Sequence, residues 1–343
     1  MTGDRIDLHT HGLPRELPAF GRRYAGAWPE LVATGPCRAD LMLGDRHFRS
    51  LDDRCWDPGR RLADMDEEGV SMQVVSPIPV MFSYGLPAQG AAELADVQND
   101  WVAELVRGRP DRFAGLGTVP LQTPDRAAEV VATIRGDLGL AGVEIGTNVA
   151  GAPLDAPELE VFWSACEQTD ALVFAHPWQV LGAERLRAHG LDYAVGNPAE
   201  TAAAAATLIL GGVLDRHPAV RIVLAHGGGA FLPLLPRLDQ VASRMTGRPD
   251  GSPVVRPSEY VRRFHYDALV YDAGALRQLV ARVGADRVAV GTDYPFPIAE
   301  RPAGAAVDAA GLSPQDREMV LRGTAQRLLA GPTKPPELKS SSG

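Results

Sequence analysis

Lysine is almost absent from this 343-residue sequence, in which Lys334 and Lys339 are the only two and both lie in a tail rich in proline and serine. Arginine supplies the positive charge elsewhere. A Schiff-base lysine, for pyridoxal phosphate or for a substrate, is therefore excluded from the packed body of the protein. A carbamylated lysine bridging two metal ions is excluded as well, so any metal site should hold one ion.

Cysteine is scarce, and long apolar runs are missing. Cys37, Cys55 and Cys166 are three scattered thiols without Cys-x-x-Cys spacing, a pattern typical of free thiols in a reducing compartment. No apolar run reaches the ~20 residues of a membrane helix. The N-terminus enters a predicted strand without the apolar segment of a secretory signal. We therefore expect a cytoplasmic protein without membrane contact.

Several common functional motifs are also missing. The net charge is −9 with no basic stripe, so we expect no nucleic-acid partner. There is no P-loop, and Gly115-Leu116-Gly117 lacks the third glycine of a dinucleotide site. No serine stands in a Gly-x-Ser-x-Gly nucleophile elbow. Phosphoryl transfer and hydride transfer are therefore poorly supported, and a serine hydrolase lacks its nucleophile.

Short apolar strands alternate with amphipathic helices along the chain, which indicates a parallel sheet. The helices are predicted at 58–69, 88–109, 124–137, 157–169, 199–216, 231–245, 273–283 and 313–329. Between them fall strands that begin near residue 6 and then span 70–77, 113–119, 142–145, 171–175, 220–225, 264–270 and 287–290. Eight such units predict a closed (β/α)8 TIM barrel, an α/β fold.

Residues 1–330 are predicted to form this one barrel domain. Residues 13–56 are too long for an ordinary connection, and we interpret them as a small flap that carries function, inserted after the first strand. Residues 331–343 are expected to be a disordered tail.

Histidines mark the predicted strand ends. His9 and His11 stand at positions i and i+2 of the first strand, so their side chains point the same way and can share one metal ion. His-x-His alone is a weak motif. However, His176, His226 and Asp293 each follow a later strand, and catalytic groups of these barrels gather at that rim. The sequence therefore predicts one metal site there.

Imidazole and carboxylate ligands suit Zn²⁺, with Mn²⁺, Fe²⁺ or Co²⁺ as alternatives. A metal of this kind activates water near neutral pH, and His226 or Asp293 could then act as the catalytic base. If Asp293 is a ligand, His226 remains free for proton transfer. Spacing alone leaves open which of the five side chains is not a ligand.

Longer runs point to one family, and they extend from His9 to about Leu329. The runs are Phe48-Arg49, Cys55-Trp56-Asp57-Pro58, Pro79-Val80-Met81-Phe82-Ser83-Tyr84, His176-Pro177-Trp178, Pro198-Ala199-Glu200-Thr201, His226-Gly227-Gly228-Gly229-Ala230-Phe231 and Gly291-Thr292-Asp293-Tyr294-Pro295-Phe296-Pro297. With them the chain resembles the amidohydrolase superfamily, and within it the family of 2-amino-3-carboxymuconate-6-semialdehyde decarboxylases.

The resemblance implies a carboxy-lyase that removes CO2 nonoxidatively from that carboxylate or a close relative, by means of metal-activated water. It also implies a role for each of several residues. One zinc ion would be held by His9, His11, His176 and Asp293, with His226 as the acid/base, Arg49 as the ligand of a substrate carboxylate, and Arg237 reaching into the neighbouring subunit of a homodimer.

The substrate is less well defined than the reaction. Met81, Phe82, Trp178 and Phe296 are expected to wall the pocket. Tyr193 stands near a position where the family usually has tryptophan, and Leu43 where it can have a basic residue. Three alternatives therefore stay open: a phenolic-acid (resorcylate-type) decarboxylase, a metal-dependent lactonase or amidohydrolase, and a metal-binding protein without enzymatic activity.

Overall fold

The computed structural model of the protein describes residues 5–248, 251–252 and 254–331. The strands in this part of the chain are β1 (Arg5–Gly12), β2 (Pro29–Gly35), β3 (Arg38–Leu43), β4 (Arg46–Asp52), β5 (Val70–Pro77), β6 (Phe113–Gly117), β7 (Gly142–Gly146), β8 (Leu172–His176), β9 (Arg221–Leu224), β10 (Phe264–Asp267) and β11 (Val288–Ala289). The α-helices are α1 (Pro58–Glu68), α2 (Ala88–Gly108), α3 (Pro124–Gly136), α4 (Glu160–Gln168), α5 (Asn197–Leu210), α6 (Val213–Arg216), α7 (Phe231–Ala242), α8 (Ala273–Val283), α9 (Ala305–Ala309), α10 (Pro314–Glu318) and α11 (Thr324–Ala330).

Strands β1 and β5–β11 form the barrel. They lie side by side in chain order, and each pair is parallel. The last segment returns to the first strand, because the Leu8 amide donates to Val290 O at 2.8 Å and the His11 amide to Tyr294 O at 2.7 Å. Helices connect the strands and cover the outer face. The predicted (β/α)8 barrel is confirmed.

Local sequence explains where the first helix begins and ends. The Asp57 side chain caps α1 by accepting a hydrogen bond from the Arg60 amide at 2.9 Å, and Pro58 fits the first helical turn. Gly69 ends the helix with a left-handed φ of 69°, a conformation that glycine adopts without a steric penalty. The chain then passes directly into β5, as predicted.

The insertion after β1 is a three-stranded antiparallel sheet, β2–β3–β4. These strands were not predicted, because most of their side chains are exposed or half-buried and no period-2 apolar pattern results. Leu41 and Leu51 are buried, and they pack in one apolar cluster with Ile78 and Met81 at the barrel mouth. The sheet therefore rests on the rim; its closure as a flap remains a prediction.

Several predicted boundaries were wrong. The helix predicted at 199–216 is broken after Leu210, where Gly212 takes a left-handed φ of 77°. The last predicted helix contains a π-helical turn at Met319–Gly323. The strands predicted at 264–270 and 287–290 are shorter in the structure. Pairing between them is limited to Tyr266 with Val288 and Asp267 with Ala289, and β10 pairs with β9 only from Phe264 to Tyr266.

Three further predictions concern the tail, the division into domains and membrane contact. The tail predicted to be disordered falls, beyond residue 331, outside the described residues, and the division into a single domain remains a prediction. Among the described helices, none combines the length and the apolar character needed to span a membrane.

Candidate metal centre and active site

His9 and His11 lie at the carboxyl end of β1 with their rings facing each other. Their Nε2 atoms are 3.0 Å apart. The His9 Nδ1–H donates to Asp267 Oδ2 at 2.7 Å, and the His11 Nδ1–H donates to Pro77 O at 3.0 Å. Because both Nδ1 atoms act as donors, the two Nε2 atoms carry lone pairs that point at one spot. A positive ion at that spot would bind both lone pairs and relieve their repulsion.

Asp293 adds a carboxylate to the same spot. It follows β11 in a left-handed conformation with φ of 66°, and its Oδ1 lies 3.1 Å from His11 Nε2 and 3.7 Å from His9 Nε2. Burial raises the pKa of Asp293, but His11, His9 and His226 outweigh this effect and lower it to about 2. Burial lowers the pKa of His11, whereas Glu144 and Asp293 raise it, with a net increase. Without a metal, the spot therefore attracts a proton.

His176, at the end of β8, faces the other two histidines. Its ring centroid is 5.1 Å from those of both His9 and His11. Nδ1 donates to Pro177 O at 3.0 Å, and Nε2 is buried without a hydrogen-bond partner. Burial, followed by the charges of His226, His9 and His11, lowers the pKa of His176. It is therefore a neutral imidazole with a free lone pair, the state in which histidine binds metals.

Glu144 also belongs to this cluster, and it was missed by the sequence analysis. It lies on β7 and is completely buried, and burial raises its pKa to about 8 against the opposing effects of His11 and Ser76. Ligand atoms of His9, His11, Glu144 and His176 all lie within 4.8 Å of one another. The only signal in the sequence was a charged residue inside an apolar strand.

These donors fit a divalent metal ion. Zinc–nitrogen distances of 2.0–2.1 Å place two ligands of a tetrahedral site about 3.3 Å apart, close to the separations of His9, His11 and Asp293. The partnerless Nε2 of His176 and the oxygens of Glu144 are buried polar atoms, and a metal ion would satisfy them. The imidazole and carboxylate donor set is that of zinc, iron, cobalt or manganese.

His226 stands beside this cluster in a left-handed conformation with φ of 57°. Its ring centroid is 5.3 Å from that of His9 and 5.1 Å from that of His176, and its Nδ1 is buried without a partner. Burial and the charge of His9 lower its pKa, although Asp267 and Asp293 oppose the change. Gly229 then turns the chain with φ of 58°, and a Cβ there would lie 2.4 Å from Pro198 O, so only glycine fits.

Asp267, at the end of β10, connects His9 to the segment that carries His226. The sequence analysis did not predict this residue. Its Oδ2 accepts from the His9 ring and from the His226 amide at 2.9 Å, and its Oδ1 accepts from the Gly227 amide at 2.8 Å. These donors lower its pKa, although burial acts in the opposite direction. A carboxylate that orients a histidine ligand in this way is a common outer partner of metal sites.

Arg49 lies on β4 at the mouth of the barrel. Its Nη2 donates to the Tyr193 hydroxyl at 2.6 Å, and its guanidinium carbon lies 4.2 Å from the centroid of the Phe296 ring. The Phe296 ring in turn stacks on His11 at 5.3 Å between centroids. The structure therefore brings an arginine, a tyrosine and an aromatic wall together above the histidine cluster.

The remaining predicted residues lie in different surroundings. Met81 and Trp178 belong with Phe296 to the apolar cluster under the inserted sheet. Phe82 faces Tyr84 at 5.6 Å between ring centroids, within the main barrel core. Arg237 lies on the exposed side of α7 and forms no hydrogen bond or ion pair with any described residue.

Comparisons with known proteins agree with this geometry. The profile of the Amidohydrolase family matches residues 6–330. A 2-amino-3-carboxymuconate-6-semialdehyde decarboxylase of Dictyostelium discoideum is 38% identical over 330 residues, which cover 95% of this chain and 91% of that protein. A gamma-resorcylate decarboxylase of Rhodococcus jostii (strain RHA1) is 30% identical over 287 residues, covering 78% and 86%.

A solved structure of another decarboxylase matches this fold over nearly the whole chain. The crystal structure of a 5-carboxyvanillate decarboxylase from Sphingomonas paucimobilis matches with a TM-score of 0.82 and 28% identity, over 96% of this chain and 99% of that one. The chain therefore belongs to the amidohydrolase family. The predicted class within it, a metal-dependent decarboxylase, is also confirmed.

Proposed function

We propose that this enzyme decarboxylates 2-amino-3-carboxymuconate-6-semialdehyde or a closely related carboxylic acid. One observation carries the proposal: the ring of Phe296 contacts both the Arg49 guanidinium, whose central carbon lies 4.2 Å from the ring centroid, and the His11 ring, whose centroid lies 5.3 Å away. A carboxylate bound by Arg49 would therefore be held at the barrel mouth, next to the aromatic ring that stacks on His11. The 38% identical relative, which is named for this substrate, supports the same assignment.

We propose that one Zn²⁺ ion per chain is held by His9, His11, His176 and Asp293, and Mn²⁺, Fe²⁺ or Co²⁺ would suit the same donors. When bound, the ion would supply an activated water and an electrophilic centre. The hydrogen bonds from His9 to Asp267 and from His11 to Pro77 fix both rings with Nε2 turned inward.

His226 is proposed to move the proton of the reaction. Its lowered pKa leaves a neutral imidazole that can accept a proton, and the contact of its amide with Asp267 fixes its position. Replacing a carboxylate by hydrogen requires a proton at the carbon that loses CO2. His226 would accept this proton from water and deliver it to that carbon, while the carboxylate leaves as CO2. The conjugated substrate itself takes up the electrons, in agreement with the lack of lysine in the barrel.

The working unit is proposed to be a homodimer in which Arg237 contributes to the neighbouring subunit's site. Its exposed position without a partner among the described residues supports this role, as does the exposure of Leu234 and Val241 on the same helix. Cys37, Cys55 and Cys166 are all free thiols, which supports a place in the reducing cytoplasm.

The proposed substrate is tested by direct assay. Freshly prepared 2-amino-3-carboxymuconate-6-semialdehyde should lose its absorbance in the presence of the metal-loaded enzyme, with one equivalent of CO2 released per molecule consumed. A second panel of phenolic acids, including gamma-resorcylate, tests the alternative that the 30% identical relative suggests. Faster CO2 release from a phenolic acid would show that the proposed substrate is wrong and that the enzyme is a phenolic-acid decarboxylase. Turnover of a lactone or amide without CO2 would contradict both.

The substrate-binding role of Arg49 predicts a large effect on affinity. A charge-assisted hydrogen bond contributes about 1.5–3 kcal/mol, so Arg49→Gln should lower kcat/KM roughly 10- to 100-fold, mainly through KM. Tyr193→Phe should have a smaller effect, because it removes one partner of Arg49 and keeps the positive charge. Arg46→Gln, on the same strand and exposed, is the matched control and should leave the kinetics unchanged. Equal losses in the Arg46 and Arg49 variants would contradict the proposed role.

A further inference from the structure

Glu144 is a buried carboxylate to which no described residue donates a hydrogen bond. Its side chain is 0% exposed, and neither oxygen has a partner that meets hydrogen-bond geometry. Burying a charged or polar group without a partner costs several kcal/mol. A residue of this kind persists in a barrel interior when something outside the protein chain satisfies it.

The two nearest donors are already engaged. The Ser76 hydroxyl donates to Thr10 O at 3.1 Å. The His11 Nδ1–H donates to Pro77 O at 3.0 Å, while Glu144 Oε1 lies farther away from the same atom, at 3.7 Å. Neither of these two donors can therefore turn to Glu144 without breaking a hydrogen bond that exists.

Its position in the sheet places Glu144 just beneath the metal ligands. Glu144 pairs with Phe174, and Gly146 pairs with His176, so the glutamate lies two residues below the rim and its long side chain can extend toward it. The ligand atoms of His9, His11, Glu144 and His176 lie within 4.8 Å of one another, in a group that does not include Asp293. Donors bound to one ion at about 2.0–2.2 Å can be up to roughly 4.4 Å apart, so a small movement brings Glu144 into the same coordination sphere.

We propose that Glu144 is an additional carboxylate ligand of this metal centre, beside His9, His11, His176 and Asp293. The inference rests on the proposed metal site and extends its ligand set. Two carboxylates together neutralise the two charges of the ion. A set of three imidazoles and two carboxylates is also harder than the set without Glu144, so it should favour Mn²⁺ and Fe²⁺ more strongly relative to Zn²⁺.

The test measures metal binding and does not depend on turnover. Metal-free wild type, Glu144→Gln and Glu144→Asp are titrated with Zn²⁺ and with Mn²⁺ against a competing chelator. Both variants should bind at least about tenfold more weakly, with a larger loss for Mn²⁺ than for Zn²⁺. Glu144→Asp keeps the charge but shortens the reach, so its loss distinguishes ligation from a nearby charge.

The visible spectrum of the Co²⁺-loaded protein gives a second measurement. Absorption intensifies when Co²⁺ loses a ligand, so both variants should absorb more strongly than wild type. Glu200→Gln is the matched control, because Glu200 is also buried but accepts hydrogen bonds from Asn148 at 3.0 Å and from the Leu181 amide at 2.8 Å. It should retain the affinity and spectrum of the wild type. The melting temperatures of the metal-free proteins show whether each variant folds.

The outcomes separate this inference from the metal site itself. If wild type binds no metal, the metal site proposed above is wrong. If wild type binds one ion and the two Glu144 variants match it in affinity and spectrum, the metal site stands and the inference is overturned. A loss in Glu144→Gln with full affinity in Glu144→Asp also overturns it, since a nearby charge would then explain the effect.

Discussion

Removing the divalent metal with a chelator is expected to stop CO2 release, and adding back one equivalent per 36.6 kDa chain should restore it. The metal contributes several kcal/mol of charge stabilisation, and each 1.36 kcal/mol changes the rate tenfold. Turnover should therefore fall by about 10³-fold or more. Elemental analysis of the purified protein, combined with an assay of evolved CO2, measures both quantities on one sample.

A ligand variant provides the control for this experiment. His176→Ala removes a side chain whose Nε2 has no hydrogen-bond partner, so the variant should fold, yet it should neither retain the metal nor recover activity on metal addition. The metal-free wild type should also melt at a lower temperature than the loaded protein, because an ion that binds only the folded state stabilises it. Full turnover by demonstrably metal-free protein would refute the metal mechanism.

Replacing His226 should lower turnover strongly while leaving the metal in place. General acid–base groups contribute roughly 10²- to 10⁴-fold to the rate, and a loss of this size is expected. His226→Asn is the preferred variant, because the residue has a left-handed φ of 57° that asparagine tolerates better than alanine does. Metal content should remain that of the wild type. If the variant loses its metal, His226 is a ligand and the division of roles is wrong.

The same variant tests whether Arg237 acts across a dimer. Arg237→Ala should be inactive for a different reason, since it would deprive the neighbouring site of a cation. Mixing and reassociating the two inactive proteins should restore part of the activity, because a mixed dimer contains one intact site. If mass spectrometry shows that mixed dimers form and no activity returns, Arg237 does not contribute to the neighbouring subunit's site.

Both the barrel and the convergence of five side chains could be predicted from the sequence, because both depend only on where residues stand relative to the predicted strands. The five are His9, His11, His176, His226 and Asp293. Each of these side chains ends or follows a predicted strand, and in a parallel barrel those ends meet at one rim. This argument requires only the order of strands and helices along the chain. Small errors in boundaries, such as the shorter β10 and β11, do not affect it.

Glu144 and Asp267 were missed for a related reason. Both are single carboxylates within or at the end of buried strands, and nothing in the local pattern distinguishes such a residue from an ordinary break in an apolar run. Their importance arises from contacts between distant segments: Asp267 joins residues 9, 226 and 227. The inserted sheet escaped prediction because its largely exposed strands lack the alternation on which strand prediction relies.

The origin of Arg49 has a further consequence. The proposed substrate cation, Arg49, lies on the sheet β2–β4, whose segment leaves the barrel after β1 and rejoins it before α1, whereas the histidines and Asp293 belong to the barrel or its loops. If Arg49 binds the substrate as proposed, mutations in this sheet would change which acids the enzyme accepts without disturbing the histidine cluster. Such modularity would let one ancestral chemistry diversify toward open-chain and aromatic acids alike.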